Sequence, residues 1–116
     1  MHEYPVTEQI VKIASEEAKK SNARKVTRID LVVGEYSGFV GDSIQMYFDI
    51  IAQGTLCEGA VLEIENVKAQ WWCPHCKKFF IRKPLSFACP DCGQDGEPSD
   101  KGKEFYIRSI EVEDGS

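Results

Sequence analysis

Four of the five cysteines form two closely spaced pairs, and they carry the clearest chemistry in the sequence. Cys73 pairs with Cys76 and Cys89 with Cys92, each pair enclosing two residues, and twelve residues separate the pairs. A two-residue gap lets both sulfurs of a pair reach one ion at about 2.3 Å. Four thiolates in a tetrahedron favour zinc, with iron as the alternative. The spacing therefore predicts a closed, structural metal site.

The remaining reactive side chains have plainer interpretations. A single C-x-x-C pair is also typical of a redox dithiol, but two matched C-P-x-C pairs make that the weaker interpretation. His75 lies inside the first pair, where it could replace a cysteine ligand, although an exposed position is the expectation. Cys57 has no partner at ligand spacing and is expected to be a small buried hydrophobe.

The N-terminus offers a second place for metal chemistry. His2 directly follows Met1, so a free α-amine and an imidazole lie on adjacent residues. That pairing is one of the shortest ways for a chain to hold a square-planar ion. Most chain ends are frayed and carry no function, and residues 1–3 taken alone indicate nothing more.

Composition and the lack of certain motifs argue against several classes of function. The chain has 116 residues and a formal charge of -5, and a zinc ion with four thiolates would add a further net charge of about -2. Such a charge disfavours a polyphosphate backbone. The sequence has no catalytic triad, no phosphate-binding glycine loop and no convincing acid pair, so we expect no enzyme. Without a membrane span or a secretory signal, the chain is expected to be cytoplasmic, where clustered cysteines usually bind metal.

Hydrophobic periodicity predicts an α+β fold. The predicted elements are a helix over 5–21, a strand over Val26–Tyr36, a helix capped by Asp42 and ended by Gly54, and strands over Val61–Ala69 and Glu104–Glu113. The buried stripe of the first helix is expected to comprise Val6, Ile10, Ile13, Ala14 and Ala18. We expect two helices packed on a three-stranded sheet, with a zinc-ribbon-like module inserted between paired strands.

The predicted module covers residues 71–103, and the α+β domain covers 1–70 together with 104–116. The module is rich in cysteine, proline, glycine and lysine, and five aromatic residues surround its cysteines: Trp71, Trp72, Phe79, Phe80 and Phe87. These rings could stack on bases beside the nearby lysines and arginine. The acidic composition favours the other interpretation, in which they shield the thiolates and seat the module on the sheet.

The order of these features resembles the HypA family, the nickel-incorporation proteins that mature [NiFe]-hydrogenases and, in some bacteria, supply urease. The resemblance rests on MHE at the start, CPHC and CPDC twelve residues apart, and a closing GKEFYIRSIEVED, and it covers essentially the whole chain. Members often continue MHE with a Met-Ser-Leu type of segment, whereas Tyr4, Pro5 and Val6 stand here.

This resemblance implies a metallochaperone that binds nickel as cargo at His2 and structural zinc at Cys73, Cys76, Cys89 and Cys92. Ni(II) readily takes square-planar nitrogen sites. The Met1 amine, the amide and imidazole nitrogens of His2 and the Glu3 amide can supply four nitrogens. The partners implied are a HypB-type GTPase and the hydrogenase large-subunit precursor, with no nucleic acid and no membrane. The alternative is a zinc-ribbon module that binds nucleic acid or a protein complex.

Overall fold

The structure is a computed structural model that describes residues 3–115. Its elements in chain order are α1 (Glu3–Lys20), β1 (Ala23–Gly34), α2 (Gly41–Ile51), β2 (Val61–Val67), β3 (Trp71–Cys73), β4 (Lys78–Phe80), β5 (Glu97–Pro98) and β6 (Phe105–Asp114). Strands β2, β1 and β6 form the main sheet in that order, and β4, β3 and β5 form a small second sheet. The predicted α+β class is confirmed.

Strand β1 occupies the centre of the main sheet. It pairs in parallel with β2 and antiparallel with β6. The prediction that the cysteine-rich segment interrupts two paired strands is therefore wrong, because β2 and β6 lie on opposite sides of β1. The last four residues of β1, from Leu31 to Gly34, are all buried. A central position suits so apolar a strand, since both of its edges are then hydrogen-bonded.

Both helices contribute to one hydrophobic core with the main sheet. The buried side chains of this core include Ile10, Ala14, Ala18, Val26, Ile29, Leu31, Ile44, Phe48 and Leu62. The predicted burial of Ile13 in α1 is wrong, because this residue is 45% exposed. Val11 and Thr7 are buried in that helix instead, so the buried face is rotated slightly toward them.

Helix α1 begins two residues earlier than the sequence predicts. Pro5 does not mark its start, because proline is tolerated throughout the first turn, where no N–H needs an intrahelical partner. The Thr7 hydroxyl donates to the Glu3 carbonyl, and this bond supports the first turn. At the other end, Asn22 adopts a left-handed φ of 57° and turns the chain into β1.

Helix α2 lacks the predicted cap. Its N-cap residue is Val40, which has no side-chain cap, and Asp42 already lies inside the first turn. There its carboxylate stabilises the helix by interacting with the positive end of the helix dipole, but it does not cap the helix. The Val40 N–H instead donates to Oε2 of Glu3 at 3.2 Å, so the start of α1 satisfies the start of α2.

Hydrogen bonds and a close backbone contact hold the connection between the main sheet and the cysteine-rich segment. The Ala69 N–H donates to Oε1 of Glu35 at 2.8 Å, and the Tyr36 N–H donates to the Gly102 carbonyl at 2.6 Å. Gly102 has a φ of +104°, and a Cβ there would overlap the backbone of Ala69. Only glycine fits such a close approach of two chain segments.

No helix within residues 3–115 is both long enough and apolar enough to cross a membrane.

Candidate metal centre

The fold brings all four paired cysteines to one point. Their sulfur atoms all lie within 4.8 Å of one another. The Sγ atoms of Cys73 and Cys92 are 3.6 Å apart, and those of Cys76 and Cys89 are 3.9 Å apart. A zinc ion at about 2.3 Å from each sulfur requires edges of about 3.8 Å. The donor set and its dimensions therefore fit a tetrahedral zinc site, with all four positions supplied by the protein.

The two pairs are held by matching turns. The Lys77 N–H donates to the Cys73 carbonyl at 2.7 Å, and the Gly93 N–H donates to the Cys89 carbonyl at 2.9 Å. The residue after each pair is left-handed, with φ of 56° at Lys77 and 78° at Gly93. In the first turn the Cys76 N–H also points at the Cys73 sulfur, 3.3 Å away. Such N–H groups stabilise thiolate charge.

The matched turns predict opposite effects for two substitutions. Gly93→Ala is expected to destabilise the zinc-loaded protein by about 1 kcal/mol, because a Cβ disfavours left-handed backbone. Lys77→Gly relieves the same strain in the first turn and is expected to stabilise by about 0.5 kcal/mol, after the entropy cost of glycine. Thermal unfolding followed by tryptophan fluorescence measures both. Equal destabilisation by the two substitutions would show that the Lys77 side chain itself supports the turn.

Without a metal, the thiols of Cys76 and Cys89 differ in acidity. A hydrogen bond with Cys92, assisted by burial, raises the pKa of Cys76 to about 12. The pKa of Cys89 is lowered, chiefly by the backbone N–H of Cys92. A divalent cation offsets the repulsion among thiolates and releases the retained protons on binding. The cluster is thus built to be completed by a cation.

Aromatic residues of the cysteine-rich segment form two ring pairs. The ring centroids of Trp71 and Phe87 are 4.9 Å apart, as are those of Trp72 and Phe79. The Arg82 guanidinium lies 5.1 Å from the Phe87 centroid. Phe80, Cys73 and Cys89 are the buried residues of this small core. Phe80 and Trp71 therefore pack beside the cysteines, as the shielding interpretation predicts for them, whereas Phe79 and Phe87 remain partly exposed.

The residues predicted at the N-terminal site are less fully described. Met1 and His2 lie outside the described residues. Glu3 is 8% exposed, and its carboxylate is engaged by the Val40 N–H. This position leaves the Glu3 carboxylate with a structural role, whereas the predicted nickel ligand was its amide nitrogen.

Cys57 and His75, the other two residues considered for metal or redox chemistry, have the surroundings that the sequence predicts. Cys57 is fully buried, with its sulfur 3.6 Å from the Ser15 hydroxyl, and burial raises the pKa of its thiol. His75 is exposed. The hydrogen bonds that the carboxylates of Glu3 and Glu35 accept, from the N–H groups of Val40 and Ala69, were not predicted. Each bond joins residues more than 30 positions apart, and no local pattern marks them.

The comparisons with known proteins agree with this geometry. A family model described as HypA, hydrogenase/urease nickel incorporation, metallochaperone, matches residues 1–112. The hydrogenase maturation factor HypA of Caldanaerobacter subterraneus is 46% identical over 114 residues, covering 97% of this chain and 100% of that protein. That of Dehalococcoides mccartyi strain 195 is 41% identical, covering 100% of this chain and 98% of that protein.

Solved structures agree as well. The solution structure of the Ni metallochaperone HypA from Helicobacter pylori matches with a TM-score of 0.65 and 27% identity, covering 98% of this chain and 99% of that chain. A second HypA solution structure matches with a TM-score of 0.68, also at 27% identity, covering 97% and 96%. The order of helices and strands, the four-cysteine cluster and these full-length matches lead to one conclusion. The chain belongs to the HypA family of nickel metallochaperones for hydrogenase maturation.

Proposed function

We propose that this chain carries Ni(II) at its N-terminus and delivers it to [NiFe]-hydrogenase, and to urease in organisms that make it. The nickel ligands are the Met1 amine, the amide and imidazole nitrogens of His2 and the Glu3 amide. The observation that carries this proposal is the HypA match, which begins at residue 1 and so includes all three residues. Ni(II) accepts such nitrogen donors in a square plane.

The start of α1 supports this ligand set. Glu3 is the first residue of the helix, and the first four N–H groups of an α-helix have no intrahelical acceptor. Its amide can therefore lose a proton to nickel without breaking the helix. The Glu3 carboxylate, held by the Val40 N–H, anchors this end of the chain while its backbone nitrogen serves the metal.

Zinc is the cation we propose at Cys73, Cys76, Cys89 and Cys92. It neutralises half of the thiolate charge and crosslinks the two turns, and it has no open coordination position for catalysis. We propose that residues 71–103 form a zinc module carried by a nickel-binding domain of residues 1–70 and 104–116. The protein then acts as a carrier in the cytoplasm, and its partners are a HypB-type GTPase and the hydrogenase large-subunit precursor.

A nickel titration of two forms of the zinc-loaded protein tests the N-terminal site. One form has the authentic, untagged N-terminus, and the other has one extra residue before Met1. The authentic form is expected to bind one nickel ion, measured by calorimetry and native mass spectrometry. The extended form is expected to bind more than about 100-fold more weakly, since even lost outer-shell contacts weaken metal sites by 10- to 100-fold. Equal binding by both forms would place the nickel elsewhere.

A further inference from the structure

The loop between the two cysteine turns presents an apolar surface to solvent. Its three large apolar side chains are Ile81, Leu85 and Phe87, with exposed fractions of 57%, 101% and 49%. Single exposed apolar residues are ordinary on protein surfaces, but these three lie within seven residues of one short loop. Together with Arg82 and Lys83 they form the module tip.

Leu85 has no role within the fold that accounts for it. Its side chain is fully exposed, so it contributes nothing to either hydrophobic core. Its backbone is left-handed, with φ of 62°, a conformation that disfavours leucine and suits glycine or asparagine. Residues held in such conformations often lie at functional sites. A partner that buries the Leu85 side chain accounts for its exposure, and the left-handed backbone fixes the direction in which that side chain is presented.

The charge around the tip determines which partners it attracts. Residues 77–87 include four Lys or Arg and no acid, whereas residues 1–70 and 104–116 include eight Lys or Arg and fifteen acids. Lys78 is paired with Asp91, and Glu35 and Lys68, which carry opposite charges, line one pocket with Ile81 and Arg82. Lys77, Arg82 and Lys83 therefore leave the tip with a net positive charge. An acidic partner is repelled by most of the molecule and directed to the tip.

The surroundings of the tip favour protein over nucleic acid. Base stacking needs free aromatic faces, but the Trp71 and Phe87 rings pack on each other. The Arg82 guanidinium lies against both of these rings, and the Lys101 amine lies 4.4 Å from the Phe79 centroid. The groups that remain outward, aliphatic side chains beside cations, match an apolar side chain flanked by carboxylates.

We propose that the module tip is a docking surface for an acidic protein segment, with Leu85 as its apolar anchor. The partner's apolar side chain packs on Leu85 and Ile81, while its carboxylates face Arg82 and Lys83. This assigns a protein contact to the zinc module that is separate from the nickel ligands at the N-terminus. It thus goes beyond the proposed nickel function and can fail independently of it.

The test uses the zinc-loaded full chain, labelled with ¹⁵N, and amide chemical shifts as the readout. The probe is a 12-residue peptide in which Leu and Phe alternate with Asp and Glu. Three controls replace its acids by Lys, replace its apolar residues by Ser, or substitute a 12-nucleotide oligo(U) RNA. The acidic apolar peptide is expected to shift residues 81–87 selectively, with weaker effects as salt rises. Equal shifts with the basic peptide, shifts spread over the whole chain, tip binding by the RNA or no shifts at millimolar peptide would overturn the proposal.

A matched pair of variants separates docking from folding. Leu85→Gly removes the anchor and relieves the left-handed backbone, so peptide affinity is expected to fall about tenfold while the melting temperature is maintained or rises. Asn22→Gly makes the same backbone change at φ 57°, far along the chain from the tip, and should leave peptide affinity unchanged. Unchanged affinity in Leu85→Gly would refute the anchor. Nickel uptake is measured in the same samples, and its retention separates this proposal from the nickel function.

Discussion

Removing zinc with a chelator is expected to unfold residues 71–103, while residues 1–70 and 104–116 keep their helices and main sheet. The buried residues of the small core are Cys73, Phe80 and Cys89, and two of these are proposed ligands. So small a core cannot maintain a fold without the metal, whose binding contributes about 10 kcal/mol in comparable modules. A ¹⁵N–¹H correlation spectrum should lose the dispersed signals of 71–103 and retain those of β1, β2 and β6.

A pair of cysteine variants provides the control for zinc. Cys89→Ser removes one ligand and should lower zinc content from one ion per chain to nearly none, with the same loss of signals. Cys57→Ala removes the fifth cysteine, which is buried in the main core, and should retain one zinc ion per chain at a stability cost of roughly 1 kcal/mol. A dispersed spectrum for 71–103 in the chelated protein would contradict the proposed role of the metal.

Replacing His2 is expected to abolish nickel binding and leave the fold and zinc content intact. His2→Gln serves better than His2→Ala, because a bulky second residue protects Met1 from aminopeptidase removal and so keeps the terminal amine in place. Loss of the imidazole should weaken nickel binding by more than about 100-fold. Calorimetry measures the affinity, and circular dichroism with zinc analysis checks the rest of the molecule.

The chain supplies its own control for the imidazole. His75 is its only other histidine and lies exposed in the first cysteine turn. His75→Gln should therefore leave the nickel affinity unchanged. A collapse of circular dichroism and zinc content in His2→Gln would contradict the division between a nickel terminus and a separate zinc module.

The sequence was most informative where neighbouring residues carry the pattern. Both helices and the three strands of the main sheet were predicted from periodicity, with boundaries off by a few residues. The start of α1 was missed because Pro5 is compatible with several positions in a first turn. The local pattern at Asp42 predicts a helix cap, whereas the N–H of Val40 is satisfied by Glu3 from α1. The competing contact came from 37 positions away.

The sequence by itself determined the α+β class, the meeting of four cysteines at one metal-binding cluster, the burial of Cys57 and the family. Each of these depends on residue spacing over a few positions, or on motif order along the chain, and both can be read without coordinates. Only the tertiary structure decided that β1 is central, that Tyr36 bonds to Gly102 on the far side of the cysteine turns, and that Leu85 is exposed on a left-handed backbone. Those features depend on which distant segments pack together. A backbone N–H can donate to many acceptors, and an apolar side chain can pack against many others, until the whole core forms.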